Sequence, residues 1–272
     1  MKRRLNTVPL ILLCLVLLNP SANAAYFTLP TVETSMTDAI FNTLAASFAF
    51  RPMEPASDLG ARWGVYVGVG GSATSTSLVS NIFSGLPSTY VPNADVQIGI
   101  GLPKGFTIEL GMIPKFSLSG DSISKYDFAL KWTLSRALWP KLPFSLAVAA
   151  QYGTSSLAFT QSISGGSVAV DYTASMFGGN ILASKYLGFL GVGVEPYVGF
   201  GVLDQSSSLS GSGTATLFGS SYPVGTESVS ASGATLWLQA GMMLKLELLT
   251  ITAEYDRFFG LSSYSTKISF RF

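Results

Sequence analysis

Eight polar residues of this chain, Glu109, Asp127, Lys131, Glu195, Gln239, Lys245, Glu254 and Lys267, each fall in an alternating run, with apolar neighbours on both sides except at Lys267, which follows Thr266. Carboxylates and ammonium groups so placed can pair across adjacent strands, each pair contributing roughly 0.2–1 kcal/mol. They can equally line a wet channel, since a charge withdrawn from water must be paired. Acid–base catalysis fits less well. The chain has no histidine, the side chain whose proton affinity suits that work near neutral pH. No acidic pair stands out for a two-carboxylate mechanism. No enzymatic activity and no cofactor are expected. Transition metals usually take histidine or cysteine, so no such centre is expected, although loop carboxylates could hold calcium.

The elements that would position these residues read as strands. In Tyr126–Leu134, Tyr126, Phe128, Leu130, Trp132 and Leu134 alternate with Asp127, Ala129, Lys131 and Thr133. Successive strand side chains point to opposite sides, so one face is apolar and the other carries the charges. The same period runs through Trp63–Gly70, Val96–Leu102, Phe106–Met112, Phe144–Tyr152, Val192–Val202, Leu236–Lys245, Leu249–Tyr255 and Ser263–Phe272. A further strand lies within Val168–Lys185, where Met176, Phe177, Ile181 and Leu182 keep no single parity. The connections around Pro103, Trp139, Gly188 and Glu247 are short. Ser72–Asp95, Gly153–Ser167 and Asp204–Gly233 read as long, flexible, Ser/Gly-rich loops. Pro114 and Pro196 fall within strands, where each removes a ladder donor and calls for a bulge or an early end.

Thr34–Phe50 is different. Met36, Ile40, Leu44 and Phe48 recur every fourth residue with Phe41 beside them, which predicts a helix ended by Pro52. Three placements stay open: packed beneath the strands, inserted among them, or a mobile leader. Gly68–Ala73 fits a G-x-G-x-x-A dinucleotide pattern, but Ser72–Ser80 is Ser/Thr-rich and makes no convincing helix. Glycine alternating with valine on a wall explains it better.

The chain has 272 residues, 48% hydrophobic and only 11% charged, with mean hydropathy +0.42. Soluble domains carry about a quarter charged residues. A helical membrane span needs roughly 18 consecutive apolar residues, and the one candidate is at the start. There, basic Met1–Arg4, apolar Val8–Leu18 and Ser21–Ala24 read as a secretory signal peptide cleaved after Ala24. The only cysteine, Cys14, lies inside it. Removing Lys2, Arg3 and Arg4 from 16 basic residues leaves 13 against 15 acidic, a net of −2, so no nucleic-acid partner is expected. An exported, apolar chain with no second helical span can still place its surface in lipid as a closed barrel.

The last ten residues, SYSTKISFRF, carry Tyr264, Ile268, Phe270 and Phe272 on one face. This resembles the C-terminal signal strand of bacterial outer-membrane β-barrels, which ends in an aromatic residue. The resemblance implies a Gram-negative outer-membrane location, lipid around the wall, and recognition by the barrel-assembly machinery through those four residues. The outer-membrane barrel enzymes resemble one another in relying on a catalytic histidine, which this chain lacks. The expected architecture is all-β: a signal peptide (1–24), an N-terminal segment (25–60), and a transmembrane antiparallel up-and-down β-barrel (61–272). It has about ten strands, with eight or twelve as alternatives. The eight polar residues become lumen lining, and Lys267 is expected to meet carboxylates such as Glu254. Strand-end aromatics (Trp63, Phe106, Tyr126, Phe144, Tyr152, Tyr255, Tyr264, Phe272) suit interfacial girdles. In the first loop, Leu78, Ile82 and Phe83 form an apolar cluster that could gate the mouth. Two functions follow: a narrow porin-like passage for small or apolar solutes, or a non-transporting structural or surface-interaction barrel with a charge-filled lumen. The oligomeric state is not legible.

Overall fold

The computed structural model describes residues 34–60, 63–78, 90–118, 121–163, 166–189, 192–217 and 220–272. The expected signal peptide, and Ile82 and Phe83 of the expected gate, lie outside the described residues. One helix, α1 (Thr34–Phe48), precedes β1 (Val65–Ser75), β2 (Tyr90–Leu102), β3 (Phe106–Leu118) and β4 (Asp121–Thr133). After a single-turn helix α2 (Leu134–Ala137) come β5 (Ser145–Ile163), β6 (Gly166–Ser184), β7 (Leu187–Phe189) and β8 (Val192–Leu217). The chain ends with β9 (Ser220–Leu246), β10 (Leu249–Phe258) and β11 (Leu261–Arg271).

Ten strands close into an antiparallel barrel. Their order is β6-β5-β4-β3-β2-β1-β11-β10-β9-β8, and β6 pairs back to β8. The terminal strand joins its expected neighbours, with Ile268 opposite both Val69 of β1 and Ile251 of β10. Phe272 completes the seam by exchanging backbone hydrogen bonds with Val65 at 2.8 and 3.0 Å. The expected short connection around Gly188 contains the three-residue β7, which among the described residues pairs only with the start of β8 and stays outside the ring. The Pro103–Gly105 turn holds Lys104 at φ 65° and Gly105 at φ 82°, and glycine meets that requirement without steric cost.

Two expected loops are not loops. Gly153–Ser167 and Asp204–Gly233 continue the ladders, so that Ile163 opposes Gly166 and Leu217 opposes Ser220. β8 and β9 run for 26 and 27 residues, whereas a membrane-crossing strand needs about 9–11. Their outer halves therefore stand beyond any bilayer. Serine recurs there at both parities, so alternation had no apolar face to follow.

The prolines are absorbed as the ladder demands. β3 and β4 shift register between Ile113 and Phe116, bracketing Pro114. Pro196 sits where β6 has just ended at the Ser184–Tyr197 pair, and its carbonyl accepts Lys185 N–H at 3.2 Å. The missing donor faces that same side, past the last ladder pair.

The outer wall is apolar across the middle, where Val67, Val69, Phe128, Leu130, Ile181, Phe200, Leu238 and Ile268 are exposed. So much contiguous apolar surface marks contact with lipid. Trp63, Phe106, Trp132, Phe144 and Phe272 cluster near the short turns, with Phe106 stacked on Trp132 at 5.3 Å. Tyr90, Tyr255 and Tyr264 form a second aromatic group on the opposite side, with neighbouring centroids 5.4–6.2 Å apart. Tyr126 and Tyr152 sit where outward residues change from Phe128 to Ser124. Two aromatic belts bounding an apolar band are the lipid-facing pattern of a transmembrane barrel.

Candidate functional site: the plugged lumen

All eight predicted lining residues lie on the inward face of the wall, together with Asp95, Lys125, Asp256 and Arg271. Those four keep the same parity two to four residues from Gln97, Asp127, Glu254 and Lys267, so alternation could have found them. The lumen they line is not open. Of the three placements for the N-terminal segment, the structure shows the inserted one: α1 and residues 49–58 fill the barrel.

The wall is zoned along its axis, and the plug matches it zone by zone. Nearest the short turns, Lys131, Lys245, Lys267 and Arg271 face Glu109 and Glu195, an excess of cations among the described residues. The plug supplies Glu54 there. Its carboxylate takes Lys267 Nζ at 2.5 Å and Arg271 Nη2 at 2.6 Å. Lys131 pairs with Glu109 at 3.5 Å, and Lys245 with Glu195 at 2.5 Å. Lys267 therefore meets the plug rather than Glu254, contrary to expectation: Thr252, not Glu254, is its direct partner on β10.

Further along, Asp95, Asp127, Glu254 and Asp256 face, among the described residues, Lys125 alone, an excess of carboxylates. Lys125 bridges Asp95 and Asp127 at 2.8 and 3.0 Å. Glu254 accepts from Gln239 at 2.7 Å and from Tyr197, and Gln239 accepts from Asn180 at 3.0 Å. The plug supplies Arg51, whose guanidinium lies 3.4 Å from Asp256 and 5.0 Å above the Phe258 ring.

Beyond the carboxylates the inner wall turns apolar. Tyr172, Ala174, Met176, Leu203, Trp237, Phe258 and Leu261 pack on Ile40, Phe41, Leu44 and Phe48 of α1. This settles the register of β6: Met176 and Leu182 face inward, Phe177 and Ile181 outward. Both faces are apolar because one meets lipid and the other the plug. Leu78 of the expected gate is partly buried against the same cluster.

Between Phe50 and Ala56 the chain forms neither helix nor strand, and wall side chains donate to several of its carbonyls. Gln97 donates to Arg51 O at 2.8 Å, Gln151 to Phe50 O at 3.3 Å, Lys131 to Pro55 O at 2.8 Å and Thr133 to Ala56 O at 2.9 Å. α1 stops at Phe48 because Pro52 disfavours helical backbone before it. Met53 adopts φ 52°, a left-handed bend costing of order 1 kcal/mol, and its side chain is buried against Gly70. Glycine opens this space: a Cβ on Gly70 would lie 2.7 Å from Met53 Cε, and one on Gly111 2.5 Å from Phe50 Cε2. Ser57 donates to Glu195 at 3.0 Å, and Arg136 pairs with Asp58 where the segment leaves the lumen. Neither Arg51 nor Glu54 belongs to a periodic run, so sequence reasoning missed both.

A family model described as "Family of unknown function (DUF6588)" matches residues 27–272. No curated protein sequence matches the chain. Among solved structures, the translocator domain of autotransporter NalP from Neisseria meningitidis is 11% identical with a TM-score of 0.41, covering 89% of this chain and 99% of that one. The N-terminal β-barrel domain of Pseudomonas aeruginosa OprF is 14% identical with a TM-score of 0.29, covering 78% and 100%. The Acinetobacter baumannii outer membrane protein Omp33 is 10% identical with a TM-score of 0.30, covering 78% and 100%.

Proposed function

The chain belongs to the DUF6588 family, a family of unknown function, and from that premise we propose that it is an outer-membrane barrel serving as a narrow passage for small or apolar solutes, closed at rest by its own N-terminal segment. The observation that carries this reading is how residues 49–58 are held. Their polar bonds to the wall run through side chains, and among the described residues no backbone–backbone hydrogen bond joins them to a strand. Such a segment can leave the lumen without unzipping any part of the barrel. The apolar zone around α1 and the Leu78 contact place apolar surface on the route at the outer end.

The paired lumen charges favour a second reading, the non-transporting barrel, whose projecting β5–β6–β8–β9 sheet would serve surface interactions. Solute uptake separates the two. Liposomes holding the refolded mature protein are expected to swell slowly in small neutral solutes, and those holding a variant lacking residues 34–58 to swell at least tenfold faster. Equal swelling, with the variant verified as a folded barrel by its heat-dependent gel mobility, would leave the structural reading standing.

A further inference from the structure

The place that Arg51 occupies is built as a binding site. Four wall side chains from two strands that are not neighbours in sequence, β1 and β10, converge on its guanidinium. Asp256 supplies the counter-charge at 3.4 Å, and Phe258 offers its ring face at 5.0 Å. Each terminal nitrogen is shared between the wall and the end of α1: Nη1 donates to Ser72 at 3.3 Å and to Ala49 O at 3.1 Å, and Nη2 to Thr74 at 3.2 Å and to Ala46 O at 2.5 Å. Thr74, Asp256 and Phe258 are buried to the level of a protein core. Asp256 Oδ1 is fixed by Trp237 Nε1 at 2.8 Å, whereas among the described residues its Oδ2 has no hydrogen-bond partner and faces Arg51 Nε at 3.4 Å. A planar cation over an aromatic face, with hydroxyls on its fork and a carboxylate at its edge, is the arrangement that distinguishes guanidinium from a point charge. An apolar strip of the wall, Trp237, Leu203 and Leu261, continues directly outward from it.

We infer that Asp256, Phe258, Ser72 and Thr74 form a guanidinium site, that Arg51 fills it as a tethered ligand, and that a solute bearing a guanidinium on an apolar chain displaces Arg51 and so frees the plug. This inference rests on the passage reading for its consequence but not for the site itself. The excess of carboxylates in this zone supports it: among the described residues, removing Arg51 leaves four carboxylates against Lys125, which favours a cation in its place. Because the ligand and the plug compete for one site, occupancy and opening are linked, and a solute with equal affinity for both states would move nothing.

The test uses the mature chain in detergent micelles with butylguanidinium as probe and butylurea, its neutral analogue, as control. Trp237 is the reporter, identified by the signal lost in Trp237→Phe. In Arg51→Ala, and in Arg51→Met should the first variant not fold, Trp237 fluorescence is expected to titrate saturably with butylguanidinium. Butylurea should bind at least tenfold more weakly, and adding Asp256→Asn should weaken butylguanidinium at least tenfold. In liposomes the unmodified protein should leak faster with butylguanidinium and not with butylurea. A folded variant whose Trp237 signal does not saturate, or that binds both compounds equally, overturns the site. The titration needs no transport, so binding in a barrel that stays closed even without its plug would sink the passage and leave the site.

Discussion

Glu54 and Arg51 hold the plug at two heights, and the chemistry of each can be separated. Glu54 is on the plug, not on a membrane-spanning strand, and is fully buried. Burial alone would raise its carboxyl, but Arg271 and then Lys267 outweigh this and hold it below the ordinary carboxylate range. A lowered folded value means that the stabilisation is complete above the ordinary value of 4.5 and is lost as pH falls through the lowered one. Leak through the intact protein is therefore expected to stay constant from neutrality down to about pH 5 and to rise only below about pH 4, measured by solute efflux. Glu54→Ala leaves two buried cations without their carboxylate, a change that costs about 3–5 kcal/mol in comparable pairs. Amide hydrogen exchange in residues 46–58 should then quicken more than a hundredfold while strand amides are unchanged. Exchange at the rate of the unmodified protein would show that Glu54 does not clamp the plug. From the sequence, the inward charges were legible because Glu109, Lys131 and Lys267 kept parity. Their partners were not, since a segment such as Phe50–Ala56 has no period to follow and its position depends on side chains far away in the chain.

Strands and helix tell the same story at larger scale. Alternation revealed every strand with one wet face, and the four-residue repeat revealed α1. It failed where both faces have the same character. β6 is apolar on both sides because the plug covers its inner face, and the outer stretches of β8 and β9 carry serine at both parities. Two consequences follow for single elements. On β3, a larger side chain at Gly111 would meet the Phe50 ring, and overpacking of this kind costs about 1–3 kcal/mol. Gly111→Leu is expected to raise solute leak several-fold while heat-dependent gel mobility still reports a folded barrel. Leak unchanged in that variant would mean that Phe50 is not seated as described. On β11, Phe272 is largely exposed to lipid, 73% of its surface, and its backbone seals the seam with Val65. Removing it should lower the fraction of protein assembled in the membrane without altering leak per assembled molecule, read by comparing membrane-inserted with total protein. Normal assembly would tell against a role for the terminal strand in recognition by the assembly machinery.

The whole molecule is a barrel whose wall changes from basic to acidic to apolar along its axis, matched by a segment of the same chain presenting Glu54, then Arg51, then the apolar side of α1. That match explains how a chain with so few charges keeps many of them buried: the part of the plug beside each zone of the wall reduces its excess of charge or covers its apolar surface. On the passage reading it also means that the closed state is specified by complementarity rather than by the ladder, so the plug leaves by breaking its own ion pairs and side-chain hydrogen bonds while the ladder stays whole. The most direct measurement is single-channel conductance in planar bilayers, comparing the refolded mature protein with the variant lacking residues 34–58. The unmodified protein should be closed with rare openings, and the variant should show stable, long-lived openings of a single size. Silence from a correctly folded variant would contradict the passage and leave a barrel that is filled but does not transport.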